Sequence, residues 1–229
     1  MLEVKHLKKR YTRKTEVLKD INFTIPDGEI VALLGANGVG KTTCLKCMTG
    51  IEEFTEGTVI VDGKENQWDY EELAFISEEG SFLPFLSANK YGEFLADFFP
   101  KFDRERYEEL LRLLEVDENQ KIEKMSKGQR MKVEVAAGFA KHAKYIFMDE
   151  PFTGLDVFTR DKFLKLLIGQ LQGEETILLS THDINDIENF VDRALILRDG
   201  VIQSAAYVDD LRMERKSLVE YFREEYEKE

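Results

Sequence analysis

The segment Gly35-Ala-Asn-Gly-Val-Gly-Lys-Thr-Thr43 carries the chemistry most directly legible in the chain. Its spacing fits G-x-x-x-x-G-K-[ST], in which glycines let the backbone curl until successive N–H groups face one centre, as phosphate oxygens require. A helix that begins here adds its positive N-terminal end. On this reading Gly35, Asn37, Gly38, Gly40, Lys41, Thr42 and Thr43 line a nucleotide site. Lys41 bridges the β- and γ-phosphates, and the Thr42 hydroxyl is a magnesium ligand.

A second group of chemical residues closes the apolar run Tyr-Ile-Phe-Met-Asp-Glu-Pro that ends at Pro151. Adjacent acids at the end of an apolar strand are costly unless the first is paired with a metal and the second faces a solvated cleft. Asp149 suits a magnesium contact, direct or through water, and Glu150 is placed to polarise a water attacking the γ-phosphate. A strand end that simply meets solvent also accommodates acids. The run Thr-Ile-Leu-Leu-Ser-Thr before His182 repeats the arrangement, and ligands of open α/β sheets bind at that carboxyl edge. His182 is therefore a candidate for the γ-phosphate, whereas His6 and His142 read as ordinary tolerated histidines. Ser126-x-x-Gln129 is a capping box, in which the two side chains satisfy N–H groups at a helix start.

These residues need elements to hold them. Ile30 to Leu34 is apolar at every position, as expected of a strand covered on both faces in the middle of a sheet. Alternation of Ile21, Phe23 and Ile25 reads as a half-buried strand closed by a turn at Pro26 to Glu29. After the phosphate loop the pattern is helical and stops at Gly50, a C-terminal cap. A strand then runs into the turn Asp62-Gly63, and Leu73 to Ser77 reads as another strand. From Ser87 to Lys124 the periodicity is helical. Tyr107, Leu110, Leu111 and Leu114 share one face, and Pro100 separates that helix from the one before. Asp199-Gly200 marks a hairpin, and the chain from Asp209 is charged and helical in pattern.

The chain of 229 residues, 43% hydrophobic, is long enough to build a real core. No run approaches the length of a membrane-spanning helix, and the N-terminus lacks the apolar block of a secretory signal, so a cytosolic chain is expected. A net charge of −13 argues against broad nucleic-acid binding. One stretch, Lys5 to Lys19, is locally basic and reads as a solvated strand edge, the alternative being a contact surface for anionic headgroups or RNA. Cys44 and Cys47 have the spacing of a redox pair, but a helix behind a phosphate loop packs them into the core.

Taken together and in this order, the motifs resemble those of the ATP-binding subunits of ABC transporters over nearly the whole chain. The likeness identifies "GANGVGKTT" with the Walker A loop, "MSKGQ" with the signature and "YIFMDEP" with Walker B. "TGLD", ending at Asp156, matches the D-loop, and His182 the switch histidine. Tyr11 matches the aromatic residue that stacks on adenine in relatives. The resemblance implies an α/β fold: a P-loop NTPase core with a mixed, mainly parallel sheet, an antiparallel β subdomain and a helical insert. It implies a single domain over residues 1–229, with a core at 1–78 and 126–208, a helical subdomain at 79–125 and a helical tail at 209–229.

It further implies ATP and Mg2+ as cofactors, and a homodimer or heterodimer of ATPase subunits. Each ATP is then trapped between the Walker A loop of one chain and Ser126, Gly128, Gln129 and Asp156 around the signature and D-loop of the other. An integral membrane permease is the expected partner, gripped by the helical insert at the cytoplasmic face of the membrane. The "SKGQ" variant and short tail resemble bacterial export-type subunits. Relatives carry a glutamine after the strand aligned with "LAFIS"; here Glu78 takes that place, keeping an oxygen ligand for magnesium but losing the amide donors. Lys127 stands where the signature usually has glycine. A soluble ABC ATPase serving cytosolic partners, as in cluster assembly, and a small-molecule kinase on the same loop are the alternative readings.

Overall fold

The computed structural model describes residues 1–77, 83–155, 157–171 and 173–227. They group into two compact units, Met1–Trp68 with Gly173–Glu229, and Asp69–Gln172.

In the first unit, β1 (Leu2–Thr12), β2 (Thr15–Ile25), β4 (Glu56–Val61) and β5 (Lys64–Glu65) form an antiparallel ribbon in the order β5-β4-β1-β2. The basic stretch therefore does not lie at an edge: β1 has a strand on each side, and its cations pair with nearby acids. Lys8 meets Glu56 at 2.7 Å, Lys9 meets Glu52 at 2.9 Å and Arg10 meets Glu16 at 2.9 Å. The ribbon joins β10 (Val201–Tyr207) through a parallel pairing of Val201 with Asp20, and β10 pairs antiparallel with β9 (Arg193–Arg198). Asp199 and Gly200, at φ 49° and 80°, make the two-residue turn between them.

β3 (Ile30–Leu34) runs parallel between β9 and β8 (Thr176–Thr181). This central position explains its unbroken apolar sequence, with Val31 to Leu34 fully buried. α1 (Lys41–Met48) follows the glycine loop. Gly50 ends it at φ 69°, and the Trp68 ring lies so close that a Cβ at Gly50 would approach it to 2.7 Å, so both the backbone angle and the space demand glycine. Trp68 Nε1 donates to the Met48 carbonyl at 2.7 Å and satisfies part of the open helix end. α6 (Ile184–Ile187), α7 (Val208–Met213) and α8 (Leu218–Glu227) complete the unit.

The second unit holds the parallel pair β6 (Leu73–Ser77) and β7 (Tyr145–Asp149), with α2 (Ala88–Phe98), α3 (Arg104–Leu113), α4 (Lys127–Ala140) and α5 (Val157–Gln170). Ser87 and Asp103 cap α2 and α3, their side chains accepting from Lys90 N and Arg106 N. Tyr107, Leu110, Leu111 and Leu114 are all buried, as their spacing predicts. Tyr107 also donates to the Ala88 carbonyl at 2.8 Å, which ties α3 to α2. No helix among the described residues is long and apolar enough to cross a membrane.

Candidate functional site

In the first unit the phosphate loop leaves β3 at Leu34 and enters α1 at Lys41. Two of its glycines are required by geometry. A Cβ at Gly35 would lie 2.6 Å from the Leu197 carbonyl oxygen of β9. Gly40, at φ 111°, would place one 2.8 Å from Val17 Cγ1. Gly38 is likewise left-handed at φ 78°. Gly40 is the N-cap of α1, and no side chain caps the helix or places an acid in its first turn. The positive N-terminal end of α1 is therefore not offset by an acid of its own first turn and suits an anion. Lys41 is buried, its Nζ donating to the Gly35 carbonyl at 2.9 Å and the Ala36 carbonyl at 3.4 Å. Ala36, Asn37 and Gly38 are exposed at the mouth of the loop, and Thr42 and Thr43 are half-buried behind it.

Tyr11, near the end of β1, is half exposed, with its hydroxyl donating to Glu52 Oε2 at 2.9 Å and lying 3.2 Å from Thr43 Oγ1. Burial and the Glu52 carboxylate hold its phenol above the ordinary tyrosine range, so the hydroxyl stays protonated at neutral pH. Thr43 thus links the loop to this aromatic residue, a connection that spacing did not reveal. His182 follows the last residue of β8 and is exposed, and the neighbouring Thr181 Oγ1 accepts from the Asp183 N–H at 3.0 Å.

The cysteines of α1 are structural. Both are buried, burial pushes the Cys47 thiol up to about 12 and raises Cys44 as well, so neither supplies a thiolate near neutral pH.

In the second unit Asp149 ends β7 with 9% of its surface exposed. Glu150 follows with φ 48°, a left-handed conformation that side-chain-bearing residues rarely adopt and that clusters at functional sites. Its carbonyl accepts from Thr153 N–H at 3.1 Å, closing the turn toward Gly154. Ser126 caps α4 in the expected capping box: its Oγ accepts from Gln129 N–H at 3.2 Å and its own N–H donates to Gln129 Oε1 at 2.9 Å. A Cβ at Gly128 would stand 2.8 Å from the Gly154 carbonyl oxygen, so the start of α4 and the chain at Gly154 are in backbone contact. Ser126 and Lys127 are exposed. Glu78, expected at the metal, and Asp156, expected at the nucleotide, lie outside the described residues.

Thr42 and Asp149 are hard oxygen donors of the kind magnesium prefers. Among the described residues no group of three or more His, Cys, Asp and Glu side chains is arranged to hold a metal by itself.

Two features of the second unit had no sequence signal. Glu134 on α4 is buried, with the Tyr91 hydroxyl 3.4 Å away. It lines a cavity of about 100 Å3, together with Phe75, Tyr91, Leu95, Phe99 and Lys141.

The description "ABC transporter" belongs to the family model that matches residues 18–153. The chain is 31% identical over 218 residues to the ABC transporter ATP-binding protein YtrB of Bacillus subtilis, covering 93% of this chain and 74% of that one. Other relatives at comparable identity carry the names of import and of export proteins. A solved ATP-binding subunit of an ABC transporter superposes with a TM-score of 0.86 at 29% identity, covering 99% of this chain and all 100% of that one. A dimeric ATP-binding cassette in a post-hydrolysis state, bound to ADP and Pi, superposes with a TM-score of 0.81 at 27% identity, covering 91% and 99%. With the glycine cradle, the buried Lys41 and the capped signature helix all present, the chain belongs to the ABC transporter family as an ATP-binding, ATP-hydrolysing subunit.

Proposed function

We propose that this subunit powers a membrane transporter whose permease is a separate chain, and that two copies, or one copy and a near copy, close over two ATP molecules. The observation that carries the reading is the exposed Ser126 at the start of α4. The capping box fixes Ser126 and Gln129 at a helix start whose positive N-terminal end suits an anion delivered by a second copy.

In this reading Lys41 leaves the loop carbonyls to contact the β- and γ-phosphates, while the N–H groups of Gly38, Gly40, Thr42 and Thr43 cradle the remaining oxygens. Tyr11 stacks on adenine. Thr42, Asp149 and Glu78 hold Mg2+, which when bound neutralises phosphate charge and orients the γ-phosphoryl group. Glu150 accepts a proton from the attacking water, and His182 donates to the γ-phosphate. Ser126, Gly128, Gln129 and Asp156 act on the nucleotide of the partner copy.

The helical segment 79–125 is the arm that meets the permease at the cytoplasmic face of the membrane, and the residues at 1–78 and 126–208 form the ATPase core. The cavity beside α2, lined by Phe75, Tyr91, Leu95 and Phe99 together with Glu134 and Lys141, offers a seat for the permease on that arm. The finer reading is a subunit of the bacterial export type, supported by the "SKGQ" signature.

The test is Glu150→Gln. Turnover is lost and ATP drives the variant into a stable dimer, read by light scattering after gel filtration. A variant that stays monomeric at saturating ATP overturns the closed pair. Co-purification with an integral membrane protein supports the transporter assignment, and co-purification with cytosolic proteins alone overturns it.

A further inference from the structure

Tyr226 sits near the end of α8, and its hydroxyl accepts a hydrogen bond from the Ala36 N–H at 3.0 Å. The carbonyl of the same peptide unit, that of Gly35, accepts from Lys41 Nζ at 2.9 Å. One amide of the phosphate loop is thus held from both ends, by the loop's own lysine and by a tyrosine 190 residues away in sequence. The end of α8 is itself fixed. Arg198 Nη1 donates to the Tyr226 carbonyl at 2.9 Å, and Gln203 Nε2 donates to the Glu225 carbonyl at 2.8 Å. These side chains of β9 and β10 satisfy carbonyls that a helix leaves open at its C-terminal end. The Arg198 guanidinium stands 5.4 Å from the centre of the Tyr226 ring, and Phe222, one turn earlier, stacks on it at 4.8 Å.

From this arrangement we infer that Tyr226 is a positioning residue for ATP and that docking of α8 is coupled to occupancy of the phosphate loop. An amide whose N–H is engaged is a stronger acceptor at its carbonyl, so the tyrosine strengthens the rest position of Lys41. A loop already fixed at its first peptide loses less freedom when the triphosphate arrives. The second effect outweighs the first, because Lys41 retains the Ala36 carbonyl and keeps its place in the loop when the hydroxyl is removed. Whatever the tail contributes to nucleotide affinity, the nucleotide returns to the tail, since binding linkage is reciprocal. The inference rests on the assignment of Gly35 to Thr43 as the ATP loop.

The experiment uses the full chain and the substitution Tyr226→Phe, which keeps the ring on Phe222 and removes only the hydroxyl. The KM for ATP with magnesium rises about three- to ten-fold, the worth of one neutral hydrogen bond, while kcat stays within about twofold. Hydrogen exchange of residues 218–227 slows when a non-hydrolysable ATP analogue is added to the wild type and does not slow in Tyr226→Phe. Arg198→Gln, which removes the donor to the Tyr226 carbonyl, raises KM in the same direction, and the double variant is no worse than the more severe single one.

A KM within twofold of wild type for Tyr226→Phe, or exchange in the tail that ignores the nucleotide, overturns the inference. Should Tyr226→Phe fail to fold, tail exchange in the wild type and the KM of Arg198→Gln decide the matter. A wild-type chain that binds no ATP overturns the loop assignment itself.

Discussion

Leu34 and Thr181 are register partners on the parallel strands β3 and β8, so Gly35 and His182, the next residue on each, leave the sheet side by side at its carboxyl edge. On the proposed reading, this shared edge is where His182 would meet the terminal phosphate of a nucleotide held by the loop. His182 is exposed, so its side chain fills no part of the core. His182→Ala is expected to melt as the wild type does while phosphate release falls about a hundredfold or more. Unchanged turnover would remove His182 from the reaction.

Ser126 has a structural task and a proposed chemical one, and two substitutions separate them. Ser126→Ala deletes the acceptor of Gln129 N–H and costs about 1 kcal/mol of stability. Ser126→Asp keeps a good cap but sets a carboxylate where the partner's γ-phosphate is expected. It should therefore hold wild-type stability in urea denaturation and lose ATP-driven dimerisation. A Ser126→Asp protein that still dimerises would confine Ser126 to capping.

The glycines of the loop differ in kind. At Gly35 an added methyl meets a carbonyl oxygen that belongs to β9 and cannot swing aside, whereas at Gly38 it meets nothing within 4 Å and only the backbone angle objects. Gly35→Ala is expected to cost about 1–3 kcal/mol and Gly38→Ala about 1 kcal/mol. Denaturant midpoints at constant m-value check the order, and equal costs would contradict the close approach to Leu197.

Lys141 donates to the Leu73 carbonyl at 2.7 Å with its ammonium 3.8 Å from the Phe99 ring centre. Burial pushes its pKa down to about 8, against the pull of Asp69 and Glu71. An unfolded lysine titrates near about 10.4, so between roughly pH 8 and 10 the unfolded chain binds the extra proton and stability rises with pH. Below that window both states are protonated and the cost of burying the ammonium is present in full. Relative to Lys141→Met, the wild type should therefore gain stability as pH is raised from about 7.5 to 9.5. Denaturation curves that shift in parallel would show that the amine is not desolvated.

The parts of this fold that the sequence announces are those with local causes. Asp62-Gly63 and Asp199-Gly200 adopt the left-handed angles their dipeptides favour, Ser126 and Gln129 cap as their spacing says, and Ile30 to Leu34 lies between two strands. What stayed hidden depends on distant partners or on strain. The place of β1 between β2 and β4 is set by pairing with residues near Val59, and no local pattern reveals it. The φ of Glu150 is imposed by the turn that follows, because residue type alone would favour an ordinary angle. Tyr226 reaches Ala36 through the whole length of the chain, and only the aromatic pair Phe222 and Tyr226, one turn apart, hints that α8 has a face to dock.

The two thiols behind the phosphate loop are sealed in the protein and held protonated. A maleimide probe attached to a cysteine engineered on the surface would therefore report from that position alone, and opening and closing of the assembly could be followed by fluorescence without first stripping the native sulfurs from the ATPase.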